Sequence, residues 1–253
     1  MNTYLTAILT ALMAVLTIVL FYLLRGRTLQ RAIVSVVRFI VQTAIVGACV
    51  YGLLRADNVL LNLLWLLLTV SVAAWYVALK ARLRRQYMLL HVWMAMLLSV
   101  VVCMLPMYSL GKVHQAPLFV PVSGVLLTVM TALLPRALKE YFVALVRFSD
   151  TYYYLLGNGS SWFKAIVPML RRAVDRSFLP CYRRLSLAGI IGLPLLLAGQ
   201  LLAGASPLAA VLGTLLLTFS AIVATLLALL IVVVASRQLV SDKRGHLTDI
   251  VRL

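Results

Sequence analysis

The strongest constraint on this chain is a series of apolar runs, each close to twenty residues long, separated by basic connections. A helix of roughly 20 apolar residues crosses about 30 Å of hydrocarbon. Lipid offers no partner for a backbone N–H or C=O, so each run must satisfy its own main chain, and a helix does so. Seven runs qualify: residues 4–24, 32–54, 59–79, 88–108, 118–134, 185–203 and 208–235. Apolar residues make up 64% of the chain and charged residues 11%, against about 25% charged in a soluble domain. The expected fold is all-α: a polytopic membrane protein of about seven transmembrane helices, forming a single transmembrane domain over residues 1–253.

Orientation follows from charge. Met1–Thr3 carry none, and the first basic side chains are Arg25 and Arg27, so the first run reads as a retained helix with its N-terminus outside rather than as a cleaved leader. Threading from there puts Arg25, Arg27, Arg31 and Arg38 at the first inner connection and Lys80, Arg82, Arg84 and Arg85 at the second. A third inner segment holds nine more, from Arg136 to Arg184, and Arg237, Lys243, Arg244 and Arg252 mark a cytosolic C-terminus. Only Arg55 and Lys112 fall outside, an asymmetry that fixes orientation by the positive-inside rule. The net charge of +17 is thereby accounted for by topology and by attraction to anionic membrane lipid, and no nucleic-acid partner is expected.

Outer connections are short, but residues 136–184 form a long cytosolic stretch that holds Glu140, Asp150 and Asp175. Ala137, Leu138, Tyr141, Phe142, Leu145 and Phe148 recur at helical spacing, with Arg136, Lys139, Glu140 and Arg147 on the other side, which predicts an amphipathic extension of the fifth helix. Gly157-Asn158-Gly159 breaks that pattern, and Ser160 or Ser161 can cap a new helix from Trp162. The expectation is a helix-turn-helix excursion, either a functional element or a surface helix held by anionic lipid.

Several chemistries are absent from the sequence. No G-x-x-x-x-G-K-[ST] loop occurs, so nucleotide-driven work would fall to another chain. Cys49, Cys103 and Cys181 form no C-x-x-C pair, which argues against a disulfide framework or a zinc site. His91, His114 and His246 lie away from Ser123, leaving no nucleophile and base at one depth. The last long helix has no Lys for a retinal Schiff base. No catalytic residue is assigned.

Polar side chains inside the apolar runs are few. Arg38 can snorkel to the interface or mark an ion pathway. Gln42, one turn further along, and Gln200 carry amides that lipid cannot satisfy, so each is either interhelical glue or a pathway residue. Gly189, Gly192, Pro194, Gly199 and Gly204 crowd the sixth run, as in discontinuous helices that line transport paths or in helices that pack tightly.

In their order and spacing these features resemble the FetB-type (UPF0014) permeases of ABC transporters, a family with bacterial members associated with iron export and plant members linked to aluminium tolerance. The resemblance rests on Arg38-x-x-x-Gln42 with Gly47, Ala73-Ala74-Trp75, Pro121-Val122-Ser123-Gly124, Leu156-Gly157 and Arg171. It continues through Pro180, Gly189, Leu193-Pro194, Gly199-Gln200, Ala203-Gly204, Pro207 and Thr218-Phe219. Departures are also present. Thr128 and Val129 replace a Gly-Asn pair, Leu195–Leu197 replace Gly-Met-Met, Gly213 and Thr214 replace Tyr-Gln, and Tyr152 stands at an acidic position. A soft thioether path for metal is not supported there.

The resemblance implies a permease subunit in a bacterial inner membrane, an exporter of iron or another metal ion. It would act as a homodimer driven by a separate cytosolic ABC-type ATPase that carries the ATP and Mg; this chain would hold no cofactor, and its metal residues are unknown. Coupling to the ATPase would fall to Tyr152, Tyr153, Tyr154, Leu156, Gly157, Trp162 and Phe163. Arg38, Gln42, Ser123, Gly124, Pro194 and Gln200 become transport-path candidates. The alternative is a polytopic scaffold or receptor that binds a partner through the same loop without transport; a membrane-embedded enzyme has no constellation to support it.

Overall fold

The computed structural model describes residues 29–56, 58–81, 85–108, 116–191 and 195–240, with isolated positions between 8 and 19. Two compact units are present, Met1–Asp57 and Asn58–Leu253. The described part of the first is helix α1, Leu29–Ala56. The second contains α2 (Val59–Lys80), α3 (Arg85–Tyr108), α4 (Ala116–Arg147), α5 (Ser149–Gly157), α6 (Trp162–Ile191), α7 (Leu195–Leu202), α8 (Pro207–Ala235) and α9 (Arg237–Val240). No strand occurs among the described residues.

Local chemistry explains where helices begin. Asn58 is extended, and its Oδ1 accepts from the Leu60 N–H at 2.9 Å, supplying one donor of α2's first turn with a partner. Ser206 does the same for α8, accepting from the Ala209 N–H at 3.4 Å. Pro207 follows at the first helical position, where its missing N–H costs nothing. Before it, Gly204 turns the chain with φ of 89°, a conformation open to glycine for want of a Cβ.

The core of the second unit is a helical bundle in which α2 and α8 each pack against both α3 and α4. Leu66, Val70, Ala74 and Val77 line the buried face of α2, and Val92, Met96, Val100 and Cys103 that of α3. On α8, Ala221, Ala224 and Ala228 are buried, and such small side chains let helix backbones approach closely where lipid provides no hydrophobic drive for association. Trp93 Nε1 donates to Ser71 Oγ at 2.9 Å and sets the register of α3 on α2. Outward faces are apolar as well: Leu60, Leu64, Leu68 and Val72 on α2, and Leu208, Leu212, Phe219 and Val223 on α8, are exposed. Helices apolar on every side belong in lipid.

Five described helices are long and apolar enough to span a bilayer: Ile33–Ala56, Val59–Lys80, Met88–Pro106, Leu118–Arg147 and Pro207–Ala235. The protein is an all-helical, polytopic membrane protein. Expected runs 32–54, 59–79, 88–108, 118–134 and 208–235 fall on α1, α2, α3, α4 and α8. Run 4–24 lies outside the described residues apart from isolated positions. Run 185–203 covers the end of α6 and all of α7, with residues 192–194 outside the described set.

Candidate functional site

Helix α4 continues past the apolar run to Arg147, carrying Pro135 inside it. Over this extension Ala137, Leu138, Tyr141, Phe142 and Leu145 are buried, while Arg136, Lys139 and Arg147 are exposed. Helix α6 packs along it with Ala165, Ile166, Met169, Ala173 and Phe178 buried. Glu140 and Arg176 pair across the two helices at 3.1 Å on the surface. A single residue, Phe148, joins α4 to α5, with φ of −114° and ψ of 33°. Its N–H still donates to the Ala144 carbonyl and its own carbonyl accepts from Tyr152, so the chain bends without leaving its main-chain groups unbonded.

Helix α5 ends at Gly157, and the turn into α6 uses Gly159 at φ of 76°. The Ser161 hydroxyl faces the Lys164 N–H at 3.5 Å at the start of α6. This turn brings the expected coupling residues to one end of the excursion. Tyr152 is fully buried, with its ring edge-on to Tyr153 at 5.4 Å. Tyr154 is 70% exposed, and Tyr153, Gly157 and Phe163 are also at the surface. Leu156 and Trp162 are half-buried. The Arg237 guanidinium sits 5.0 Å from the centre of the Trp162 ring, bringing the chain just beyond α8 to the first residue of α6.

The transport-path candidates fall on different elements. Arg38 and Gln42 belong to the first unit, where Gln42 lines a groove along α1 with Phe39, Thr43, Val46, Gly47 and Tyr51. Ser123 is buried on α4, and its hydroxyl donates to the Val120 carbonyl of its own helix at 3.0 Å. The adjoining Gly124 is exposed. Pro194 lies outside the described residues. Gln200 on α7 lays its amide against Gly213 of α8, where a Cβ would come 2.8 Å from Oε1. Gly213 is one of the departures noted above, so a small residue there leaves room for that amide.

Three buried polar residues without a side-chain partner among the described residues were not singled out from the sequence: Asn62, Ser99 and Ser177. Asn62 on α2 is 2% exposed, and neither its Oδ1 nor its Nδ2 has a partner among the described residues; Ser99 on α3 is buried with its hydroxyl in the same condition. Asn62 could have been found by the criterion that singled out Gln42 and Gln200, an amide inside an apolar run.

Among the described residues no three His, Cys, Asp or Glu side chains gather into a metal-holding group. The family model described as Uncharacterised protein family (UPF0014) matches residues 4–240. The chain belongs to the UPF0014 family. A relative, the UPF0014 membrane protein YjkA of Bacillus subtilis (strain 168), is 26% identical over 225 residues, covering 86% of this chain and 87% of that protein. No solved structure matches. Membership of UPF0014 covers both the bundle and the α4–α6 excursion, so the excursion lies within the matched region.

Proposed function

We propose that this UPF0014 protein is the membrane permease subunit of an ABC transporter, exporting iron or another metal ion across a bacterial inner membrane. The observation that carries the reading is the excursion itself: packed helices ending in an aromatic turn, on a chain with five described helices long and apolar enough to span a bilayer. Tyr153, Tyr154 and Phe163 give that turn large contact area at little entropic cost, as a docking surface requires. In this reading the basic excursion is cytosolic, and a separate ATPase binds ATP and Mg there.

Closure of two ATPase subunits pushes the α5–α6 turn. Tyr152 and the α4–α6 core pass the push to the bundle as a rigid-body movement, because close-packed interiors shift between discrete arrangements rather than deform smoothly. Two copies of the permease would enclose the path. Within the bundle, Gln200 and Asn62 are amides available to line it, and the cargo metal is a passing substrate rather than a resident group.

The test is to co-purify the chain with a candidate ABC-type ATPase and replace Leu156 and Gly157 by Glu. Loss of stimulated ATP hydrolysis supports coupling. Unchanged assembly and hydrolysis would leave a non-transporting scaffold as the better account. Iron accumulation in a deletion strain, reversed by the wild-type gene and not by the variant, would assign the cargo.

A further inference from the structure

Trp162, the first residue of α6, and Arg237, the first residue of α9, meet ring to cation. The Arg237 guanidinium carbon lies over the Trp162 ring, 5.0 Å from its centre, within the range at which an indole face attracts a cation. Tyr154 and Phe163 present exposed surface near the same turn. Trp162 differs from them: it is half-buried, and its ring is engaged by a residue of this chain. Arginine suits such a contact because its planar guanidinium stacks on aromatic faces. At an exposed site a contact of this kind shifts an equilibrium by about two- to fivefold, enough to bias a movement and little enough to be made and broken in each cycle.

The two residues belong to different parts of the fold. Trp162 follows the α5–α6 turn directly, and Arg237 follows α8 with only Ser236 between. Helix α8 packs against α3 and α4, whereas α6 packs along α4 and against α5. A movement of the turn therefore has two ways into the bundle: through the α4–α6 core, and through Arg237 to the end of α8. The second way needs a firm junction, and Ser236 supplies it. Ser236 is buried, its N–H donates to the Val232 carbonyl at 2.9 Å, and its hydroxyl donates to the Val233 carbonyl at 3.3 Å. With the donors of the joining residue bonded back onto α8, the start of α9 is held to α8 rather than hung from it on a slack linker.

We infer that Arg237 is a positioning residue that latches Trp162 to the end of α8, so that displacement of the α5–α6 turn is passed directly to that helix. The inference rests on the permease reading and deepens it. It assigns Trp162 to transmission within the chain, while Tyr153, Tyr154 and Phe163 face the ATPase. Movement then reaches the bundle at α4 and α8 together, two helices packed on each other, which suits a rigid-body shift between discrete arrangements.

The experiment uses the full chain in nanodiscs with a candidate ABC-type ATPase and reads two quantities, ATPase affinity and the stimulation of ATP hydrolysis by the chain. Arg237→Gln is expected to keep affinity within about twofold of wild type and to lower stimulation about two- to fivefold, the weight of an exposed cation–ring contact. Arg237→Lys, which keeps a cation at the ring, should fall between. Trp162→Leu should lower stimulation as well, and Trp162→Phe should do so more mildly, which guards against a folding artefact. Combining Trp162→Leu with Arg237→Gln should lower stimulation no further than the worse single variant, because both remove one contact. Wild-type stimulation in Arg237→Gln would overturn the latch while leaving the permease reading intact. A loss of affinity matching the loss of stimulation would also overturn it, because Arg237 would then serve docking or folding, and so would losses that multiply in the double variant. Failure of the wild-type chain to bind the ATPase at all would instead remove the permease reading, and the latch with it.

Discussion

Gln200 and Gly213 occupy the same space from opposite sides: the Gln200 amide oxygen lies where a side chain at 213 would begin, 2.8 Å from an ideal Cβ. The contact joins α7 to α8 beyond the chain reversal at Gly204. In a membrane bundle, an amide resting on a glycine backbone is a polar group accommodated by small-residue packing.

Gly213→Ala should cost little, under about 1 kcal/mol, since the clash is with the far end of a flexible side chain that can rotate away. The two sites nevertheless share that space, so the effects of Gly213→Ala and Gln200→Ala should not add. A double-mutant cycle on thermal unfolding in detergent is expected to return a coupling of about 0.5 kcal/mol or more. Strict additivity would mean the amide does not rest on Gly213.

Asn62 gives the opposite case, a buried amide with neither atom bonded among the described residues. An unmade hydrogen bond in an apolar surrounding carries the full desolvation cost, about 1–3 kcal/mol, whereas an apolar group of similar volume carries none. Asn62→Leu should therefore be neutral or stabilising by about 1 kcal/mol in detergent. If Asn62 lines the transport path, the same variant will lose transport while gaining stability, and the two assays together separate packing from function.

The surface ion pair between Glu140 and Arg176 is a control for the electrostatics of the excursion. Its partners are 35% and 61% exposed, and exposed pairs contribute about 0–1 kcal/mol. Glu140→Gln should lower stability by less than about 1 kcal/mol, and the difference should vanish in 1 M salt, where the Debye length falls to about 3 Å. A larger, salt-insensitive loss would show that Glu140 does more than pair with Arg176.

Much of this architecture was legible because lipid simplifies the code. With no water to bond the main chain, any long apolar run must be a helix, and five runs can be placed on described helices. The excursion's periodicity was readable for the same reason that soluble helices are: Ala137, Leu138, Tyr141, Phe142 and Leu145 share one buried face. Asn62 was legible by the rule that picked out Gln42 and Gln200, but a polar residue one turn inside a helix that starts at Val59 resembles a cap, and Asn58 is the residue that caps. The stacking of Arg172 on Phe148, with its guanidinium carbon 3.7 Å from the ring centre, was out of reach. Periodicity tells which side of α6 faces α4, but the register between them depends on the left-handed turn at Gly159 and the bend at Phe148, and neither is encoded in an apolar pattern.

Tyr152 and Tyr154 should separate the two roles of the aromatic run. Tyr152 is wholly buried and Tyr154 is 70% exposed, although they stand two residues apart on α5. Tyr152→Ala removes a packed ring and leaves a cavity, a change that costs about 3–5 kcal/mol for large aromatics. Tyr154→Ala removes surface alone and should alter stability by less than about 0.5 kcal/mol. If the turn docks on an ATPase, the ranking reverses in the assembly: Tyr154→Ala weakens the complex without touching the fold, since an exposed aromatic at a contact centre carries a large share of binding energy. Thermal unfolding of the isolated chain and affinity for the ATPase, measured on the same two variants, are the observations to compare. A Tyr154→Ala protein with wild-type stability and wild-type affinity would remove the exposed face of α5 from the docking surface and leave Phe163 and the Leu156-Gly157 turn to carry it.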